Sequence, residues 1–118
     1  MAINDYKQGR INEEVRRELS LLLRDVKDPR VPEMASVVGA RVSSDLKYAK
    51  VFVSYLGDAP EKEVLRGLKM ASGFLRKKLG EHLNMRAVPE LMFEIDHSAK
   101  TGARIDMLLK KINKEEQE

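Results

Sequence analysis

The chain has 118 residues, 35% of them charged, a net charge of +3 and no cysteine. A densely ionic surface follows, and disulfides and thiolate metal sites are excluded. No apolar run approaches the roughly 20 residues of a membrane span, and the opening MAINDYKQGR lacks the apolar centre of a signal peptide, so a cytoplasmic protein is expected.

In chain order, a polar lead-in is followed by Ile11, Val15, Leu19, Leu22, Leu23 and Val26, spaced to bury one face of a first helix. Glu13, Glu14, Arg16, Arg17 and Glu18 occupy its other face, and Asp28-Pro29 ends it, because the residue before a proline is pushed out of the helical region. Met34 to Ser43 reads as a strand, with Gly39 marking a bulge. Tyr48 to Leu56 alternates, with Ala49, Val51, Val53 and Tyr55 facing one way. The short Ser44-Asp45-Leu46-Lys47 connection predicts an antiparallel hairpin. Pro60 then stands at or just before the first turn of the next helical segment.

That segment, VLRGLKMASGFLRKKLGEHLNMR from Val64 to Arg86, is the most informative part of the chain. Val64, Leu68, Ala71, Leu75, Leu79 and Leu83 define a buried face, while Arg66, Lys69, Arg76, Lys77, Lys78 and Arg86 crowd the other. Residues 62–86 carry a local charge of +5, so the remainder of the chain is slightly acidic. Such asymmetry is the footprint of an anionic partner. Ser72-Gly73 divides the segment and predicts a kink between two half-helices. Val88-Pro89 ends the second half. Leu91, Phe93 and Ile95 then alternate with Met92, Glu94 and Asp96 as a third strand. A last helix is expected from near Ser98, with Ile105, Leu108, Leu109 and Ile112 as its stripe, followed by a polar end.

The order α-β-β-α-α-β with a C-terminal helix predicts an α+β two-layer domain over residues 1–118, its core from about 7 to 112 and a polar end at 113–118. It matches the type II arrangement of KH domains, which clamp single-stranded RNA with a GxxG loop between paired helices. Here that loop is replaced by Ala71-Ser72-Gly73, an Ala-x-Gly kink. Lys27-Asp28-Pro29-Arg30, the run Ser44 to Val53, Ala71 to Arg76, and Arg86-Ala87-Val88-Pro89-Glu90-Leu91 complete a set of motifs. With these motifs the chain resembles bacterial ribosome-binding factor A over residues 7 to 112. The resemblance implies binding to free 30S subunits and to 16S rRNA near its 5′-terminal helix. It further implies a part in late small-subunit maturation and 16S rRNA processing, an association with growth in the cold, and no cofactor or catalysis. The chain stops at Glu118, without the long charged C-terminal extension of longer members, so the resemblance does not carry over any function of that tail.

Arg66, Lys69, Arg76, Lys77, Lys78 and Arg86 are the candidate RNA contacts through phosphate neutralisation. Ser72 and Gly73 join them, either by allowing close backbone approach or by shaping the helix pair, the second being the favoured role. Lys7, Arg10, Arg16 and Arg17 alternate with acids and read as an ordinary ion-paired face. Tyr48 and Phe52 share a strand face, where packing is favoured over base stacking. His82 reads as structural at a buried helix edge. His82 and His97 lack metal-ligand spacing, and Glu94 and Asp96 read as a solvated strand face, so neither an enzyme nor a metal protein is expected. A monomer is the default. The competing reading is a basic KH-like module that binds protein without direct RNA contact.

Overall fold

The structure, a computed structural model, describes residues 2–97. Five elements follow one another: α1 (Ala2–Leu23), β1 (Ser36–Val42), β2 (Tyr48–Ser54), α2 (Glu61–Leu83) and β3 (Glu90–Ile95). Two helices pack on a three-stranded sheet of order β1-β2-β3, an α+β architecture as expected. The expected helix over Ile105, Leu108, Leu109 and Ile112 lies outside the described residues.

α1 begins earlier than the apolar stripe suggests and takes in the polar lead-in. Gln8 and Asn12 give that segment a tertiary partner: Asn12 Oδ1 accepts the Val42 N–H at 2.8 Å, and the Gln8 amide donates to the Val42 carbonyl. Two polar side chains of the helix thus satisfy the backbone at the end of edge strand β1, where unpaired groups invite non-native pairing. The helix also stops earlier than Asp28-Pro29. Arg24, Asp25 and Val26 each donate to a carbonyl three residues back, so the last turn tightens and unwinds after Leu23.

β1 and β2 form the expected antiparallel hairpin, Val42 opposite Ala49, with the register slipping between Val37 and Gly39. The bare Cα of Gly39 faces the ring of Phe52, whose Cδ2 would stand 3.4 Å from an added Cβ. β3 pairs with β2 in parallel, Ala49 beside Leu91 and Val51 beside Phe93. A parallel pair needs a long crossover, and α2 supplies it.

The core lies between the helices and one sheet face. Val15 and Leu19 of α1, Ala49, Val51 and Val53 of β2, and Val64, Leu68, Leu75 and Leu79 of α2 are all at most 1% exposed, and no polar side chain is buried among the described residues. The far sheet face is open: Tyr48 is half exposed, and Lys50 pairs with Glu94 at 3.4 Å.

The expected pair of half-helices is one unbroken helix, so the observed order is α-β-β-α-β. Gly73 is not among the residues with positive φ. Ser72 caps nothing; its hydroxyl donates back to the Lys69 carbonyl at 2.7 Å, as a mid-helix serine does. Leu68 precedes the glycine and Leu75 and Leu79 follow it on one buried line. Breaking the helix would lift one half off the sheet, a larger loss than the roughly 1 kcal/mol that an interior glycine costs. Apart from this fusion, the order is consistent with a KH-like arrangement. α2 also ends before Val88-Pro89, at Leu83, where Asn84 takes a left-handed conformation (φ 52°) and the Met85 N–H returns to the Gly80 carbonyl at 3.0 Å.

Candidate RNA-binding surface

Steps of four, three and one residues place Arg66, Met70, Gly73, Phe74 and Lys77 along one solvent-facing row of α2. All five are exposed, as is Lys69 beside them. Lys69 and Lys77 have no ion-pair partner among the described residues. Arg66 meets Glu63 at 3.3 Å and Lys78 meets Glu81 at 3.7 Å. Both pairs are solvent-accessible contacts of the kind worth little, so their charges remain available to an anion.

Two of the expected contacts are held elsewhere. The Arg76 guanidinium donates from Nε to the Pro89 carbonyl at 3.1 Å and from Nη2 to the Val88 carbonyl at 3.0 Å. It therefore anchors the segment entering β3, and Pro89 is fully buried beneath. Arg86 lies past the end of α2, exposed in the 84–89 connection rather than on the helix. The expected row of six cations on one helix thus reduces to Arg66, Lys69, Lys77 and Lys78, with Arg76 spent on the fold.

α2 holds three glycines, and their surroundings differ. A Cβ on Gly67 would meet Val31 Cγ2 at 2.8 Å and Arg30 Cβ at 3.1 Å; one on Gly80 would meet Val88 Cγ2 at 2.6 Å. These two let the chain's own connections lie against the helix. Among the described residues, a Cβ on Gly73 would meet nothing within 4 Å. Neither close packing nor an unusual backbone angle accounts for a glycine there. Ser72, next to it, is half-buried.

The connection seated on Gly67 is locally rigid. Asp28 accepts from the Arg30 backbone N–H (2.9 Å), Nε (2.9 Å) and Nη2 (2.6 Å). These bonds to Arg30 pull the Asp28 carboxyl down from 3.8 to about 2. Sequence spacing exposes neither Gly67 nor Gly80 as contact points, although two unbroken glycines in a helical pattern are themselves a packing signal. Also unassigned from sequence is a groove of about 410 Å³ between this connection and α2, bordered by Asp25 to Pro29 and by Met70, Ala71 and Phe74. Its signal was present: Met70 and Phe74 are apolar residues off the buried stripe.

Several of the remaining candidates have structural partners. Arg10 pairs with Glu14 at 3.3 Å and Arg16 with Glu13 at 2.5 Å, the ion-paired face expected for α1. His82 is exposed rather than at a buried edge, and its Nδ1 meets the Glu18 carboxylate, tying α2 to α1. His97 Nε2 meets Glu61 at 2.8 Å. Phe52 packs over Gly39, whereas Tyr48 stays open. Among the described residues no group of His, Cys, Asp or Glu could hold a metal ion, and no helix is long and apolar enough to cross a membrane.

Comparison with known proteins decides the family, because the model of "Ribosome-binding factor A" matches residues 7–109. The chain belongs to the ribosome-binding factor A family. Ribosome-binding factor A of Caldanaerobacter subterraneus subsp. tengcongensis is 44% identical over 113 residues, covering 94% of this chain and 93% of that one. The crystal structure of ribosome-binding factor A from Thermus thermophilus superposes with a TM-score of 0.67 at 26% identity, over 75% of this chain and 94% of the other. A homology model of the Thermus thermophilus ribosome-binding factor A, fitted into a cryo-electron microscopy map of a 30S complex, matches with a TM-score of 0.61 at 27% identity. It covers 73% of this chain and 91% of that one.

Proposed function

We propose that this protein binds the free 30S subunit through 16S rRNA, near the 5′-terminal helix, and assists late maturation and processing of that rRNA without catalysis. The open row on α2 carries the reading. Among the described residues Lys69 and Lys77 are cations without an ion-pair partner, and they flank Gly73, the one α2 glycine against which no other part of the described chain packs. A bare backbone between two cations suits close approach of a phosphodiester chain. The relative fitted into a 30S complex supports the same partner. The 118 residues act as one domain and a monomer in the cytoplasm. Release on maturation follows if the rRNA conformation bound is present only in the immature particle, since a ligand shifts only states that it binds differently.

Co-sedimentation with 30S and 70S particles tests this, using the wild type and a Lys69→Glu/Lys77→Glu variant. Arg76 is left intact because its loss would disturb the entry to β3. Selective 30S binding, with the double variant weakened and its salt dependence shallower by about one to two phosphates, is the expected result. Binding insensitive to salt and to the double substitution would instead favour a protein-interaction module.

A further inference from the structure

We propose that the groove between α2 and the Asp25–Pro29 segment seats one unstacked base of single-stranded rRNA, with the Phe74 ring as its stacking surface. The inference rests on the reading of α2 as the RNA face and names what the apolar part of that face does. Met70 is 73% exposed and Phe74 39% exposed, both on the row that holds Arg66 and Lys77. Exposing a methionine and part of a phenylalanine side by side on a charged helix face costs solubility. Their neighbour in the groove, Val26, is half-buried, so both walls of the groove carry apolar side chains.

Charge selects the occupant. Asp25, Lys27 and Asp28 border the groove, and the Asp28 carboxylate is paired with the Arg30 guanidinium. These charges cancel, so the groove itself does not draw in a phosphate as the lysines on α2 do. Lys69 and Lys77, one residue before Met70 and three after Phe74, stand outside it on α2. A ligand matching this pattern has a flat apolar part that enters and anionic groups on either side that remain on the lysines. A nucleotide within a single strand has that layout, whereas a paired base is not free to enter. Gly73, directly between Met70 and Phe74 on the row, leaves room for the sugar–phosphate chain to cross the helix.

The test measures affinity for 30S particles and for a fluorescein-labelled oligoadenylate decamer, using the wild type, Phe74→Leu, Phe74→Tyr and Lys69→Glu/Lys77→Glu. Leucine keeps the apolar volume and removes the ring. Phe74→Leu should weaken both affinities about 5- to 100-fold with an unchanged salt slope, as expected for loss of one stacked base, and Phe74→Tyr should stay within about twofold of wild type. Wild-type affinity of Phe74→Leu for both ligands overturns the proposal. So does a Phe74→Leu variant that loses 30S binding but keeps the oligonucleotide, since the groove then takes a ribosomal protein. A decamer carrying a central 2-aminopurine gives a readout that needs no variant: emission unchanged at saturating wild-type protein also overturns it. If the double lysine variant binds both ligands as wild type does, the RNA face itself is misplaced. If only that variant loses binding, the RNA face stands and the base seat falls.

Discussion

Replacing Gly73 by alanine should stabilise the protein, and replacing Gly67 should do the reverse, although both lie in the same helix. An interior helical glycine costs about 0.8–1.0 kcal/mol relative to alanine. At Gly73 the new methyl meets nothing within 4 Å, so the whole gain is realised. For a domain of this size that corresponds to a midpoint about 4 °C higher. At Gly67 the methyl would stand 2.8 Å from Val31 Cγ2 and 3.1 Å from Arg30 Cβ. Both atoms are close to the backbone and Val31 is itself buried, so the connection must shift, a strain of about 1–3 kcal/mol that exceeds the helical gain. Urea and thermal unfolding followed by far-ultraviolet circular dichroism give both numbers. A Gly73→Ala variant that loses stability as Gly67→Ala does would show that the helix is bent or contacted at Gly73 and would refute the reasoning. If the stabilised Gly73→Ala variant also binds 30S particles less tightly, the glycine serves the ligand rather than the fold.

Arg76→Met should destabilise by about 1–3 kcal/mol, because the carbonyls of Val88 and Pro89 lose a charged donor at once; an unchanged urea midpoint would mean that the anchor contributes nothing. Asn12→Leu should cost about 1–2 kcal/mol through the stranded N–H of Val42, read in the same assay, with faster amide exchange at Val42. Asp28 is held at about 2 against an ordinary 3.8. Its depressed value means that its stabilisation is complete above about pH 4 and is lost as the pH falls towards 2. The melting-temperature gap between wild type and Asp28→Asn should accordingly be constant from about pH 7 to about pH 5 and close at lower pH; a gap that persists at about pH 2 would contradict the Asp28–Arg30 pairing.

Local patterning determined much of this protein. The two-residue alternation from Ala49 to Val53, the bulge at Gly39, the hairpin at Ser44–Lys47, the third strand at Leu91–Ile95 and the basic character of α2 all follow from side-chain period, turn chemistry and charge, which act within a few residues. The motifs shared with the ribosome-binding factor A family were legible for the same reason. Tertiary packing decided the rest. It carried α2 straight through Ser72-Gly73, because Leu68, Leu75 and Leu79 share one buried line. It extended α1 to Ala2, with Gln8 and Asn12 bonded to Val42, a partner 30 or more residues away. It sorted three similar glycines into two that touch the chain and one that does not. It also drew Arg76 from the presumed ligand face onto the carbonyls of Val88 and Pro89, while leaving Lys69 and Lys77 free and opening a groove beside Met70 and Phe74. Each of these outcomes depends on which distant segment comes to rest against a residue, and no short-range pattern in the sequence encodes that.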